Sequence, residues 1–198
     1  MAKALVKNQA AAKRVTGKPR SKAALSGVQS KSVQPSTVQL EVQFGVARTG
    51  VPATKRLQLW AQAAYEVHHA AHTHGRRRKV LPVQVSLRIV GAAESRKLNR
   101  EWRDEDHATN VLSFPAGEMP EVAGELPTLG DLVICVPIVK REAQQQGKSL
   151  EAHWSHLMIH GVLHLLGYDH EDQRDAQLME ACEVAILDSL GFANPYDV

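Results

Sequence analysis

The segment from Ser149 to His170 constrains this chain more than any other. Leu150, Trp154, Leu157, Met158, Ile159, Val162, Leu163, Leu165 and Leu166 leave almost no side of it polar, so a helix here must be enclosed by the rest of the fold. Ser149 can cap its start, Glu151 sits in the first turn where the helix dipole favours an acid, and Gly167 is a natural stop. Into this apolar helix are set His153, His156, His160 and His164. At about 100° per residue they fall within a stripe roughly 80° wide.

Buried imidazoles need partners for their ring nitrogens, and several along one stripe are most economically satisfied by a metal ion. Side chains at i and i+4 lie one turn apart on one face and can share an ion. Residues at i and i+8 are about 12 Å apart along the axis, too far to do so. One ion therefore cannot take His156, His160 and His164 together. The turn at Gly167 carries His170 back instead, giving the pattern His-x3-His-x5-His from His160, His164 and His170. Three neutral nitrogen donors suit one Zn²⁺ per chain, with a fourth position open to water, which is the catalytic rather than the structural type of site. Unliganded core histidines are the plainer alternative.

The spacing of the glycine and the third histidine matches the metzincin protease pattern, H-E-x-x-H-x-x-G-x-x-H. Gly161 stands where those proteases carry their general base, which argues against peptide hydrolysis.

The rest of the chain indicates an α+β fold in a single domain, with a mixed sheet of about four strands packed with helices. Val38, Leu40, Val42 and Phe44 alternate with polar residues over 37–44 and predict a half-buried strand. Thr54 is a candidate cap for a helix carrying Leu57, Trp60, Ala64, Val67 and Ala71, ending near Gly75. A second strand is expected over 82–90, a short helix over 93–103, a third strand over 111–114 and a loop over 116–129. The apolar run Leu132–Val136 suits a central strand, and helices should follow over 138–146, 149–166 and 172–190. Residues 1–36 hold eight Lys/Arg, no acid and no aromatic, so the net charge of +3 is a +8 tail on a −5 body. They are expected to be a disordered basic extension, either a phosphate-touching arm or a solvated tail, preceding a domain at 37–198. The cations Arg76–Lys79 are read as a solvated loop or a phosphate contact. No apolar stretch is long enough for a membrane helix, and the start lacks the apolar core of a secretory signal. Cys135 and Cys182 lie in apolar surroundings far apart in sequence and predict no disulfide-linked partner.

The stretch His160–His170, HGVLHLLGYDH, resembles the signature of the YbeY rRNA-maturation endoribonucleases. The resemblance spans about 37–191 and includes Leu98 and Asn99, Trp102 and Arg103, the run Thr109–Pro115, Leu129–Ile134, His156 and Leu157, and AQLMEACE at 176–183. It implies a cytoplasmic, zinc-dependent, single-strand-specific endoribonuclease. Its expected partners are ribosomal RNA and the small ribosomal subunit, in 16S rRNA 3′ end maturation and subunit quality control. It also implies that His160, His164 and His170 bind the metal and that Arg103 is catalytic, a guanidinium being suited to clamp the phosphate as charge builds on it. Read without the resemblance, Arg103 is a surface helix residue. His107, Asn110 and Ser113 are candidate substrate contacts. His156, Asp131 and Asp169 are candidates to support the ligands from behind, although Asp169 could equally form a turn and Asp131 end a strand. The other readings are a metal-dependent protease or other metallohydrolase, and a non-catalytic ribosome-assembly factor with structural zinc.

Overall fold

The computed structural model describes residues 37–72, 81–117, 126–170 and 172–197. The basic extension at 1–36 and the run Arg76–Lys79 lie outside them.

The elements follow in the order β1 (Val38–Phe44), α1 (Thr54–His72), β2 (Val83–Val90), α2 (Ala92–Arg103), β3 (Val111–Pro115), β4 (Thr128–Cys135), α3 (Val136–Gln145), α4 (Leu150–Leu165) and α5 (Gln173–Ser189). The four strands form one mixed sheet, ordered β1-β2-β4-β3. β1 with β2 and β2 with β4 are parallel, while β3 runs antiparallel to β4. The fold is α+β, as expected, and two differences in the elements have clear causes. β4 starts at Thr128, not Leu132, because Thr128 and Gly130 pair with Gln84 and Val85 of the neighbouring strand and pairing needs no apolar side chain. Thr54 is the first helical residue instead of the cap: Arg56 N and Leu57 N both donate to Ala53 O.

Alternation along the strands builds two apolar layers. Val85, Leu87 and Ile89 of β2 and Leu132 and Ile134 of β4 face a core closed by Leu57 and Trp60 of α1, Trp154, Met158, Ile159 and Val162 of α4, and Ile186 and Leu187 of α5. Val133 and Cys135 point the other way, into a smaller cluster with Val90, Leu112 and Ile138. β4 is buried on both faces, which accounts for its uninterrupted apolar run. At the β1 edge, Gln62 accepts from Val38 N while Gln58 accepts from Leu40 N and donates to Val38 O, so α1 satisfies the outer backbone of that strand.

The helix that carries the histidines lies across this sheet. Ser149 Oγ accepts from Ala152 N at 3.1 Å, capping α4 as its sequence predicts. Gly161 faces the strands: a Cβ there would stand 2.9 Å from Leu132 Cδ2 and 3.4 Å from Val111 Cγ2. Its lack of a side chain is what lets α4 pack so close to β4 and β3. Both cysteines are free thiols, and no described helix is long and apolar enough to cross a membrane.

Candidate metal centre

The C-terminus of α4 delivers the third histidine. Gly167 has φ +89°, a conformation that costs glycine nothing and other residues much more. Gly167 N donates to His164 O and Tyr168 N to Leu163 O, so the last turn closes as the chain reverses. The reversal brings His170 beside its two predecessors. One donor nitrogen from each of His160, His164 and His170 lies within 4.8 Å of the other two. The ring centroids are 4.5 Å apart for His160 and His164, 5.0 Å for His164 and His170, and 5.8 Å for His160 and His170.

The far side of each helical ring fixes its protonation. His164 Nδ1 lies 2.9 Å from Tyr168 O, a carbonyl that can only accept, so that nitrogen carries the hydrogen. His160 Nδ1 lies 2.7 Å from Glu183 Oε1. Burial raises the pKa of Glu183, but hydrogen bonds from His156 and His160, the charge of His160 and the hydroxyl of Tyr196 outweigh it and bring the carboxyl down to about 2. It is an ionised acceptor, and His160 donates to it. In their neutral forms, with Nδ1 protonated, the two rings turn bare Nε2 lone pairs toward each other at 3.1 Å. Neither neutral ring can donate to the other. A cation between them resolves the conflict: tetrahedral Zn²⁺ with bonds of about 2.0–2.1 Å places its nitrogens roughly 3.4 Å apart. Burial, together with the nearby charges of His160 and His170, depresses the His164 pKa to about 4. It is therefore neutral and available as a donor at physiological pH.

The expected supporting residues are placed as follows. His156 Nε2 is 2.9 Å from Glu183 Oε2, one turn behind His160. Asp169 Oδ1 accepts from the backbone N of His170, forming the turn. Asp131 is exposed on β4 and lines a separate hollow with Trp102 and Arg88. Neither aspartate touches an imidazole of the triad. The carboxylate behind His160 comes instead from Glu183 on α5, fully buried. Its sequence signal was an acid in register with the inward-facing Met179, Ile186 and Leu187.

A cavity of about 380 Å³ opens beside the histidines, lined among others by His156, His160, His170, Asn110, Glu142 and Tyr196. In its lining Glu142 Oε2 accepts from Asn110 Nδ2 at 3.0 Å and lies 2.9 Å from His153 Nε2. Burial pushes the Glu142 carboxyl upward, yet hydrogen bonds from His153 and Asn110 leave it below the usual range. Asn110 also accepts from Val111 N at 2.6 Å. It is delivered to the cavity by a loop that α2 holds through Ser95 and Thr109 and through Asn99 Nδ2 donating to His107 O. Ser113 Oγ donates to Gly161 O at 3.3 Å, tying β3 to α4. His107 is exposed, 3.5 Å from Glu105. Arg103 is exposed in the last turn of α2, does not line the cavity, and has no ion pair among the described residues.

The protein-family model described as Endoribonuclease YbeY matches residues 49–191. Endoribonuclease YbeY of Pseudomonas syringae pv. syringae is 47% identical over 158 residues, covering 79% of this chain and 88% of its own. The Alkalilimnicola ehrlichii protein of the same name is 48% identical, covering 80% and 91%. That of Stenotrophomonas maltophilia strain R551-3 is 46% identical, covering 82% and 95%.

Proposed function

The chain belongs to the Endoribonuclease YbeY family, and from that premise we propose that it is a zinc-dependent enzyme that hydrolyses single-stranded RNA. Its setting is ribosomal RNA processing in the cytoplasm: maturation of the 16S 3′ end and quality control at the small ribosomal subunit. That it is an endoribonuclease follows from the family. The observation that carries the metal reading is the pair of Nε2 atoms facing each other at 3.1 Å with a ring nitrogen of His170 within reach of both.

When bound, zinc supplies Lewis-acid polarisation of a phosphate oxygen and lowers the pKa of a water toward neutrality. The protein's own residues do the rest. His160 and His164 present neutral donors in one fixed tautomer each, because Glu183 and the Tyr168 carbonyl hold their other nitrogens. Arg103, exposed at the end of α2 and outside the cavity, takes its part from the family resemblance: a guanidinium that can clamp two non-bridging oxygens as charge builds on them. Asn110 has its amide oxygen and one donor committed to protein partners. Its role is to shape the cavity lining. The protease alternative is disfavoured twice over: Gly161 lacks the base, and its position looks into the sheet, toward Leu132 and Val111.

The test combines composition and activity. Protein purified without chelator or added metal should contain about one zinc per chain, and it should cut single-stranded RNA in preference to duplex. His164→Ala and Arg103→Ala should remove cleavage while circular dichroism stays that of the folded protein. Nickel or iron at that stoichiometry, or undiminished cleavage in both variants, would overturn the reading. In cells, a functional Arg103→Ala protein would favour an assembly factor with structural zinc.

A further inference from the structure

The metal centre has support from a part of the chain that the family match does not reach. Tyr196 lies beyond residue 191, where that match ends, yet its hydroxyl donates to Glu183 Oε2 and its ring stands edge-on to His156 at 5.6 Å between centroids. The tail is tied down to hold it there. Lys148 Nζ donates to Pro195 O at 2.5 Å, Tyr196 N donates to Asn194 Oδ1 at 3.0 Å, and the Phe192 ring meets Trp60 edge-on.

The two oxygens of Glu183 are used unequally. Oε2 receives His156 and Tyr196, one donor from α4 and one from the tail. Oε1 is left to His160 alone. Two donors from separate elements fix the plane of the carboxylate, and with it the direction from which Oε1 meets His160 Nδ1. A fully buried anion is tolerated only with such a complete set of donors. The same three groups, His156, His160 and Glu183, could instead be read as ligands of a second ion. Contacts of 2.7 and 2.9 Å are hydrogen-bond lengths with no room for an ion, and His160 would have to serve two ions at once.

We propose that Glu183, clamped by Tyr196 of the C-terminal tail, is the positioning residue that holds His160 in its Nδ1–H tautomer and aims its Nε2 at the metal. This rests on the metal reading above, and the experiment separates the two. Full-length protein is stripped with chelator and titrated with Co²⁺, following the absorption of the bound ion. Wild type should take up one cobalt per chain. Glu183→Gln offers one acceptor and turns an N–H₂ toward the other donors, so its affinity should fall by about 10- to 100-fold, the usual cost of losing a residue that supports a ligand. Tyr196→Phe keeps the ring and removes only the hydroxyl, leaving Glu183 its two histidine donors, so a drop of no more than about tenfold is expected, the low end of that range. Melting of the metal-free proteins, measured alongside, reports the structural contribution. Wild-type cobalt affinity in both variants sinks this inference and leaves the metal reading standing; no uptake by the wild type sinks the metal reading itself. Two cobalt ions per chain would make Glu183 a ligand and overturn its positioning role. Nitrogen-15 spectra of the histidines in metal-free wild type need no variant: His160 should be protonated at Nδ1, and protonation at Nε2 overturns the proposal.

Discussion

Gly161→Ala sets two effects of opposite sign against each other. In a helix interior alanine is favoured over glycine by about 1 kcal/mol. At this position, however, the new methyl would stand 2.9 Å from Leu132 Cδ2 and 3.4 Å from Val111 Cγ2, whereas carbon pairs prefer about 3.5–4.0 Å. Leu132 is fully buried on β4, so its isobutyl end must shift against packed neighbours. Overpacking of this kind costs about 1–3 kcal/mol. The clash should win, giving a net loss of up to about 2 kcal/mol and a melting temperature lower by up to roughly 8 °C. Urea unfolding should show a lower midpoint at an unchanged slope. Because the clash is with one named side chain, Leu132→Ala should be partly compensated by Gly161→Ala, the double variant being more stable than the sum of the singles. A stabilised Gly161→Ala, or strict additivity in the double variant, would refute the claim that this glycine sets the distance between α4 and the sheet.

Three further outcomes follow from the site. The His164 pKa of about 4 lies below its unfolded value of 6.5, so the unfolded chain takes up the proton first. The stability of metal-free protein should therefore be constant above pH 6.5 and fall as the pH drops toward 4, by up to about 3 kcal/mol. Denaturant titrations of wild type and His164→Gln across that range should diverge, and parallel curves would contradict the shift. Zinc at about a hundred times its dissociation constant should stabilise the folded protein by about 2.7 kcal/mol; calorimetry with and without chelator reads this, and identical melts would exclude binding to the native state. Glu142→Leu should cost about 3 kcal/mol or more, because it strands the buried His153 and the Asn110 amide together. The double variant Glu142→Leu, His153→Leu should recover part of the loss, and a double variant less stable than the single would argue against an isolated pair.

The ligand triad was legible in the sequence because its geometry is local. Two histidines one turn apart and a glycine-driven reversal lie within His160–His170, and helix pitch alone excluded His156 as a third partner on the same ion. The strands with alternating or continuous apolar patterns, and the cap at Ser149, were readable for the same reason. What tertiary structure decided was the far side of the His160 ring. Glu183 reaches His160 from 23 residues away and Tyr196 reaches Glu183 from beyond the end of α5, and no spacing rule links such positions. Asp131 and Asp169 looked equally able to support a ligand, yet one is exposed on β4 and the other accepts from the backbone N of the next residue. The start of β4 was hidden because Thr128 and Gly130 join the sheet through main-chain pairing, which leaves no mark on side-chain polarity. A local sequence can place donor atoms on one face; only the packing of α5 and the tail against α4 sets the carboxylate behind His160.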